Sequence, residues 1–142
     1  MTFTGLNIIG VIVAFGFSFV SGAIWFGPKT FYPIWMKERG IASGQLNANQ
    51  NKPVLLFGGT ILGIIAQTLT VALVITSLQY AGTEVSVAAG AGIGLALGLG
   101  IGAFASLSHR LFGGESLKVW IIETANDVIN VTVAGAIIAF FN

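Results

Sequence analysis

The sequence predicts an all-α membrane protein, a bundle of four transmembrane helices with a short interfacial helix after the first span. Three observations predict it. Four apolar stretches, roughly 6–27, 54–79, 85–108 and 119–141, are each near or above the ~20 residues that carry a helix across a bilayer core. Only 8% of the 142 residues are charged, 55% are hydrophobic, and the mean hydropathy is +0.92. An ordinary soluble domain is about 25% charged, so lipid must cover much of this surface. Finally, all six cations fall in two connecting segments. A β-barrel is disfavoured, because its strands would be about half as long and would alternate polar with apolar residues. Helices also satisfy their backbone polar groups internally, as lipid requires. Residues 1–142 read as one domain.

The first span follows a stretch without Lys or Arg, since residues 1–28 hold neither. A secretory signal opens on positive charge, so the segment reads as a retained span. Gly27-Pro28 ends it, because proline supplies no amide donor and restricts the residue before it. Residues 28–53 form a loop, and around its start crowd the aromatics Trp25, Phe26, Phe31, Tyr32 and Trp35, with Met36, mixed with Lys29, Lys37 and Arg39. Such amphipathic groups settle at the headgroup level. Trp25, Tyr32 and Trp35 are therefore expected as interfacial anchors, with a short helix at about 31–40 in the interface plane. The polar run 43–51 reads as exposed loop. Pro53 opens the second span, where a missing donor costs little. Residues 81–84 are a turn, Gly113-Gly114 breaks the chain, and Trp120 repeats the anchoring at the start of the fourth span.

Orientation follows from the cations. Lys29, Lys37, Arg39 and Lys52 lie between spans one and two, and Arg110 and Lys118 between spans three and four. These two groups share one side of the membrane. The positive-inside rule puts both in the cytoplasm and both termini outside.

The third span carries a row of small residues. Gly90, Gly94, Gly98 and Gly102 recur every fourth position, extended by Ser86 and Ser106. On a helix they form a flat stripe that lets two backbones approach closely, which matters where lipid gives no hydrophobic push between helices. The stripe serves either packing inside the bundle or association with another copy or another membrane protein. Shorter rows are Ala14, Ser18, Gly22 on span one and Gly59, Gly63 on span two.

The fourth span carries a polar face. Glu123, Asn126, Asp127 and Asn130 sit at i, i+3, i+4 and i+7, on one side of a helix. Counted from Val119 at 1.5 Å per residue, Asp127 lies about 12 Å in. A charge at that depth costs on the order of 3 kcal/mol on insertion scales, and an intramembrane carboxylate is a functional-site hypothesis by default. His109 and Arg110 end the third span at the depth of Glu123, and Gln67 on span two lies at the level of Asn130. Glu123 with Arg110 reads as an interfacial ion pair. Asp127 reads either as a protonated, hydrogen-bonded tie between spans or as a proton or cation site.

Several classes are excluded or disfavoured. A net charge of +1 gives no basic face for nucleic acid. The absence of cysteine removes disulfides, thiolate metal sites and cysteine nucleophiles. His109, Glu123 and Asp127 match no standard metal spacing, and no phosphate loop, nucleophile elbow or His-Glu-x-x-His motif occurs. No cofactor or metal is expected.

Two stretches resemble a known family. Residues 22–36 run Gly-Ala-Ile-Trp-Phe-Gly-Pro-Lys-Thr-Phe-Tyr-Pro-Ile-Trp-Met, and residues 111–123 run Leu-Phe-Gly-Gly-Glu-Ser-Leu-Lys-Val-Trp-Ile-Ile-Glu. Both are similar to segments of a bacterial membrane family catalogued as domain of unknown function 1761. Its first segment reads Trp-Tyr-x-Pro, then an aromatic, then Trp-Met. Here Phe26 and Gly27 stand where that pattern has Tyr and Ser, and Asn126-Asp127 where it often has an aromatic and His. The resemblance implies four membrane helices and no agreed activity.

The expected function is that of a small non-enzymatic membrane protein of the bacterial inner membrane, in contact with lipid and acting by helix association as a homo-oligomer or accessory subunit. The alternatives are a proton- or cation-coupled transporter or channel using Glu123, Asp127 and Asn130, and a membrane-embedded enzyme on a lipid or quinone.

Overall fold

A computed structural model describes residues 4–40 and 53–142. The predicted loop at 43–51 lies outside the described residues. Helix α1 (Ile8–Trp25) begins at Asn7, whose side-chain oxygen accepts from the amides of Ile9 and Gly10, two of the donors a helix start leaves unpaired. It ends where Thr30 folds back and donates its hydroxyl to the carbonyls of Ile24 and Trp25. The seven-residue α2 (Tyr32–Glu38) follows, with proline in its first turn. Helix α3 (Pro53–Tyr80) is 28 residues long and opens on its proline. Gly82, at φ +87°, makes the turn into α4 (Val87–Leu97).

The third span is not one regular helix. After α4 comes a π-helical turn, Gly98–Ala103, and then α5 (Phe104–Phe112). Gly114, at φ +77°, turns the chain into α6 (Leu117–Phe141), where Ser116 accepts from the Val119 amide. Four helical stretches are long and apolar enough to cross a membrane: Ile8–Trp25, Val54–Tyr80, Val87–Phe112 and Leu117–Phe141. Most of their large apolar side chains point outward, among them Ile12, Phe57, Leu62 and Ile101, as lipid-covered surfaces allow.

Helix α6 is the centre. It touches α1, α3, α4, the π-helical turn, α5 and α2, and it is buried at intervals from Val119 to Ala139. The core gathers toward one end, where Val11 and Ala14 of α1 and Val71, Ala72 and Ile75 of α3 meet Val131, Ala134 and Ile138 of α6. With no hydrophobic push available between helices in lipid, close contact must come from shape, and the glycines supply it. A Cβ added at Gly90 would strike the carbonyl oxygen of Gly135, and one at Gly135 would strike that of Gly90. One at Gly94 would strike the Val131 carbonyl, and one at Gly98 would lie 3.2 Å from Val128 Cα. The packing stripe thus consists of Gly90, Gly94 and Gly98, and it is filled by α6 of the same chain.

Two members of the predicted row do other things. Ser86 is exposed and caps α4, accepting from the Ala89 amide at 3.2 Å. Gly102 has nothing within 4 Å of the place its Cβ would take. The π-helical turn is the reason: a wider turn holds one extra residue, so the row steps from Gly98 to Ala103, which is buried, rather than to Gly102.

Helix α3 leaves the bundle halfway along. Thr68, Val71, Ala72, Ile75 and Thr76 are buried, while residues 54–66 are exposed apart from half-buried Ile64. At Gly58, Gly59 and Gly63 there, an added Cβ would meet nothing within 4 Å. At the far end of the bundle the helices are laced by asparagines. Asn7 donates its side-chain amide to the Phe141 carbonyl at 2.8 Å, and Asn142 donates to Thr76 and Gln79 at 3.2 and 3.1 Å.

Candidate functional site

The turn after α1 brings α2 back over the first turns of α6, and the charged residues of that end interlock. Trp35 donates its indole N–H to Glu123 Oε1 at 2.8 Å. Arg110 Nη1 lies 2.5 Å from Glu123 Oε2 and 2.6 Å from Glu115 Oε2. Arg39 lies 3.1 Å from Glu115 and 3.9 Å from Glu123, with its guanidinium 5.0 Å from the centre of the Trp35 ring. Glu38 completes the contact, 3.0 Å from Lys118 and accepting from Ser116. Arg110 is thus the cation facing the buried Oε2 of Glu123. Two guanidiniums and two carboxylates alternate, so the cluster is neutral. Its arrangement is that of a clamp holding α2, α5 and α6 together.

All three tryptophan N–H groups are spent inside the chain. Trp25 donates to the Ile122 carbonyl at 2.9 Å. Trp120 donates to the Ala103 carbonyl and to Ser106, each at 3.2 Å. Tyr32 stacks on Trp35, ring centres 5.9 Å apart. The three indoles thus tie helices to one another, whatever their depth in the membrane.

The predicted polar face of α6 divides in two. Glu123, Asn126 and Asn130 turn inward. Asn126 sits beside Gly22 of α1, and both asparagines are about 5% exposed. Their side-chain oxygens accept no hydrogen bond from any described residue. Buried amide oxygens ordinarily have a partner, so α6 holds two open acceptors in line with Glu123, the first of them facing α1. Asp127 turns away from it, into a cleft of about 260 Å³ where α3 parts from the bundle. Gln67, Thr70, Leu97, Gly98, Ile101 and Gly102 line the same cleft. Gln67 and Asp127 thus face one space but are not hydrogen-bonded, and the ties from α3 to α6 come from Thr76 and Gln79 instead. His109 is exposed and takes no part in the clamp. Among the described residues no three His, Cys, Asp or Glu side chains gather into a metal-binding group.

Sequence reasoning missed Glu38, Arg39 and Glu115 as members of the clamp, because Arg39 counted only toward orientation and the interfacial segment. The signal available was slight: each of the two basic loops holds one acid, Glu38 beside Arg39 and Glu115 near Arg110. Asn7 and Asn142 were also missed, although an asparagine directly before an apolar run is a helix-start signal.

Three apolar spans around a fourth, central one, a neutral ionic clamp at one end and an asparagine lacing at the other define a multi-pass membrane protein of the four-helix-bundle class. Residues 9–139 match the family described as protein of unknown function (DUF1761), and the chain belongs to that family. No curated protein and no solved structure matches the chain at a significant level.

Proposed function

We propose that this chain is a non-enzymatic protein of the bacterial inner membrane that works by helix association, as a homo-oligomer in which α3 of one copy packs on α3 of another. The basic end faces the cytoplasm and both termini face out, by the positive-inside rule. The observation that carries the reading is the first half of α3. Residues 54–66 have almost no neighbours among the described residues, and Gly59 and Gly63 there are the small-xxx-small spacing that lets helices meet in lipid. The glycine row of the third span cannot serve this purpose, because α6 occupies it.

The test is chemical. The chain has no cysteine, so Gly63→Cys introduces a single thiol. Oxidative crosslinking in native membranes is expected to give a dimer from Gly63→Cys and none from Gly92→Cys, on the outer face of α4. A monomer in both cases, with a monomeric native mass, overturns the reading. Crosslinks to a different protein alone make the chain an accessory subunit.

One observation favours a second reading, passage of protons or a small cation. The open acceptors Asn126 and Asn130 extend the line of Glu123 inward from the basic end. Flux in reconstituted vesicles that falls in Asn130→Leu and persists in Asp127→Asn would support it. Flux equal to that of empty vesicles would remove it.

A further inference from the structure

The cleft beside Asp127 has a chemistry that helix association does not explain. Its walls are almost wholly apolar: Leu97, Ile101, Val71 and Val131. Asp127 is the acid in it, with Gln67 and Thr70 as polar neighbours. Asp127 has no hydrogen bond or ion pair with any described residue. The cations that could have reached it are committed elsewhere: Arg110 holds Glu115 and Glu123, and Arg39 holds the same two. At 1.5 Å per residue, Asp127 lies about 15 Å along α6 from Leu117, well inside the span. A carboxylate at such depth needs a proton or a positive partner.

Inorganic cations fit poorly. A hard divalent ion takes six or more oxygen ligands, and this cleft offers three side chains with oxygen against apolar walls. The cleft, about 260 Å³, approaches the lower end of the range for small-molecule sites, roughly 300–1,000 Å³. It also forms where α3 stands away from the bundle, so a molecule dissolved in the lipid can enter sideways. An apolar body with one positively charged, hydrogen-bond-donating head matches both the walls and the acid.

We propose that the cleft is a binding site for a small lipophilic amine, its ammonium group held by Asp127 and its apolar part lying along Ile101, Leu97 and Val71. Gln67 offers its carbonyl oxygen to the same head. Gly102 keeps the floor open, since no side chain rises from it into the space.

This inference goes beyond the association reading and is tested separately from it. The purified full chain in mild detergent is titrated with octylamine, with octanol and octanoate as neutral and anionic probes of equal tail length, and thermal unfolding is followed. Octylamine is expected to raise the unfolding midpoint saturably, and the other two are not. Asp127→Asn is expected to weaken half-saturation by about tenfold or more, the loss of one charge-assisted contact. Gly102→Leu fills the cleft from a position with open space around it, and it is expected to abolish the response without lowering the midpoint of the unliganded protein. The proposal is overturned if octanol stabilises as well as octylamine, if either variant responds like the wild type, or if no probe binds saturably. The native mass of each sample is recorded alongside. A monomeric mass with a selective amine response removes the association reading alone, and an oligomer whose cleft takes no amine removes this one alone.

Discussion

At Gly135 a single methyl group is enough to disturb the bundle, because what it would meet is the backbone of Gly90 rather than a movable side chain. Backbone cannot step aside within a packed span, and overpacking costs about 1–3 kcal/mol. Gly135→Ala is accordingly expected to lower the free energy of reversible unfolding in mixed micelles by about that amount. Gly92→Ala and Gly100→Ala, with open space around them, are expected to stay within about 0.5 kcal/mol of the wild type. The clamp answers to a different probe. Glu123→Ala removes the acceptor of the Trp35 indole and one of the two carboxylates facing Arg110. Tryptophan emission is expected to shift to the red as α2 loosens, and an unchanged spectrum would mean that α2 is held without Glu123.

At the scale of the element, the π-helical turn decides which way α5 faces. If the same residues ran as an unbroken α-helix, every side chain after Ala103 would be rotated by about 100°, one residue's turn of an α-helix. Arg110 would then leave Glu123, and Trp120 would lose the Ala103 carbonyl and Ser106. Deleting Ile101, which is exposed, returns the stretch to α-helical spacing with Ala103 four places after Gly98. The deletion variant is expected to keep the Arg110–Glu123 pair and to fold, whereas replacing Ala103 by Leu, at a buried site, is expected to impair folding; unfolding midpoints of the two compare them. This turn also marks the limit of what the sequence discloses. The four spans were legible because lipid imposes length and composition on every helix that crosses it, and Gly90, Gly94 and Gly98 were legible because small residues at every fourth place share a face. Gly102 was misread because the rule assumes an unbroken α-helix, and nothing local in Gly98-Leu99-Gly100-Ile101-Gly102 states that the turn widens. Asp127 was grouped with Asn126 and Asn130 for a similar reason. Spacing of i, i+3, i+4 and i+7 covers an arc broad enough for two neighbouring helices to divide it. Where that division falls depends on α3 leaving the bundle, which is set by packing far along the chain at Val71 and Ile75.

For the molecule as a whole, the asymmetry of its two ends is the main fact. One end is held by ionic contacts and aromatics, the other by Asn7 and Asn142 reaching across α1, α3 and α6. Asn7→Ala removes a helix cap and the bond to the Phe141 carbonyl together. A cap alone is worth about 0.5–2 kcal/mol, and the variant is expected to lose at least the lower part of that range in the same unfolding assay. The proposed orientation has its own test: a periplasmic reporter enzyme fused at the C-terminus is expected to be active, and one fused within the 113–116 loop inactive. The reverse pattern would invert the whole arrangement in the membrane.

The position of α6 in the chain has a consequence for how the protein is made. The helix on which all the others pack is the fourth span to be synthesised, so α1, α3 and the α4–α5 span enter the bilayer before their common partner exists. At a ribosomal pace of about 5–20 residues per second, the glycine face of α4 waits on the order of seconds with its groove open to lipid or to other nascent spans. The first spans can meet one another beforehand, α1 on α3 and α3 on α4, but the bundle closes only in a late event, and a chain interrupted anywhere before residue 117 would leave three spans without their main partner, a substrate for membrane quality control rather than a partly working protein.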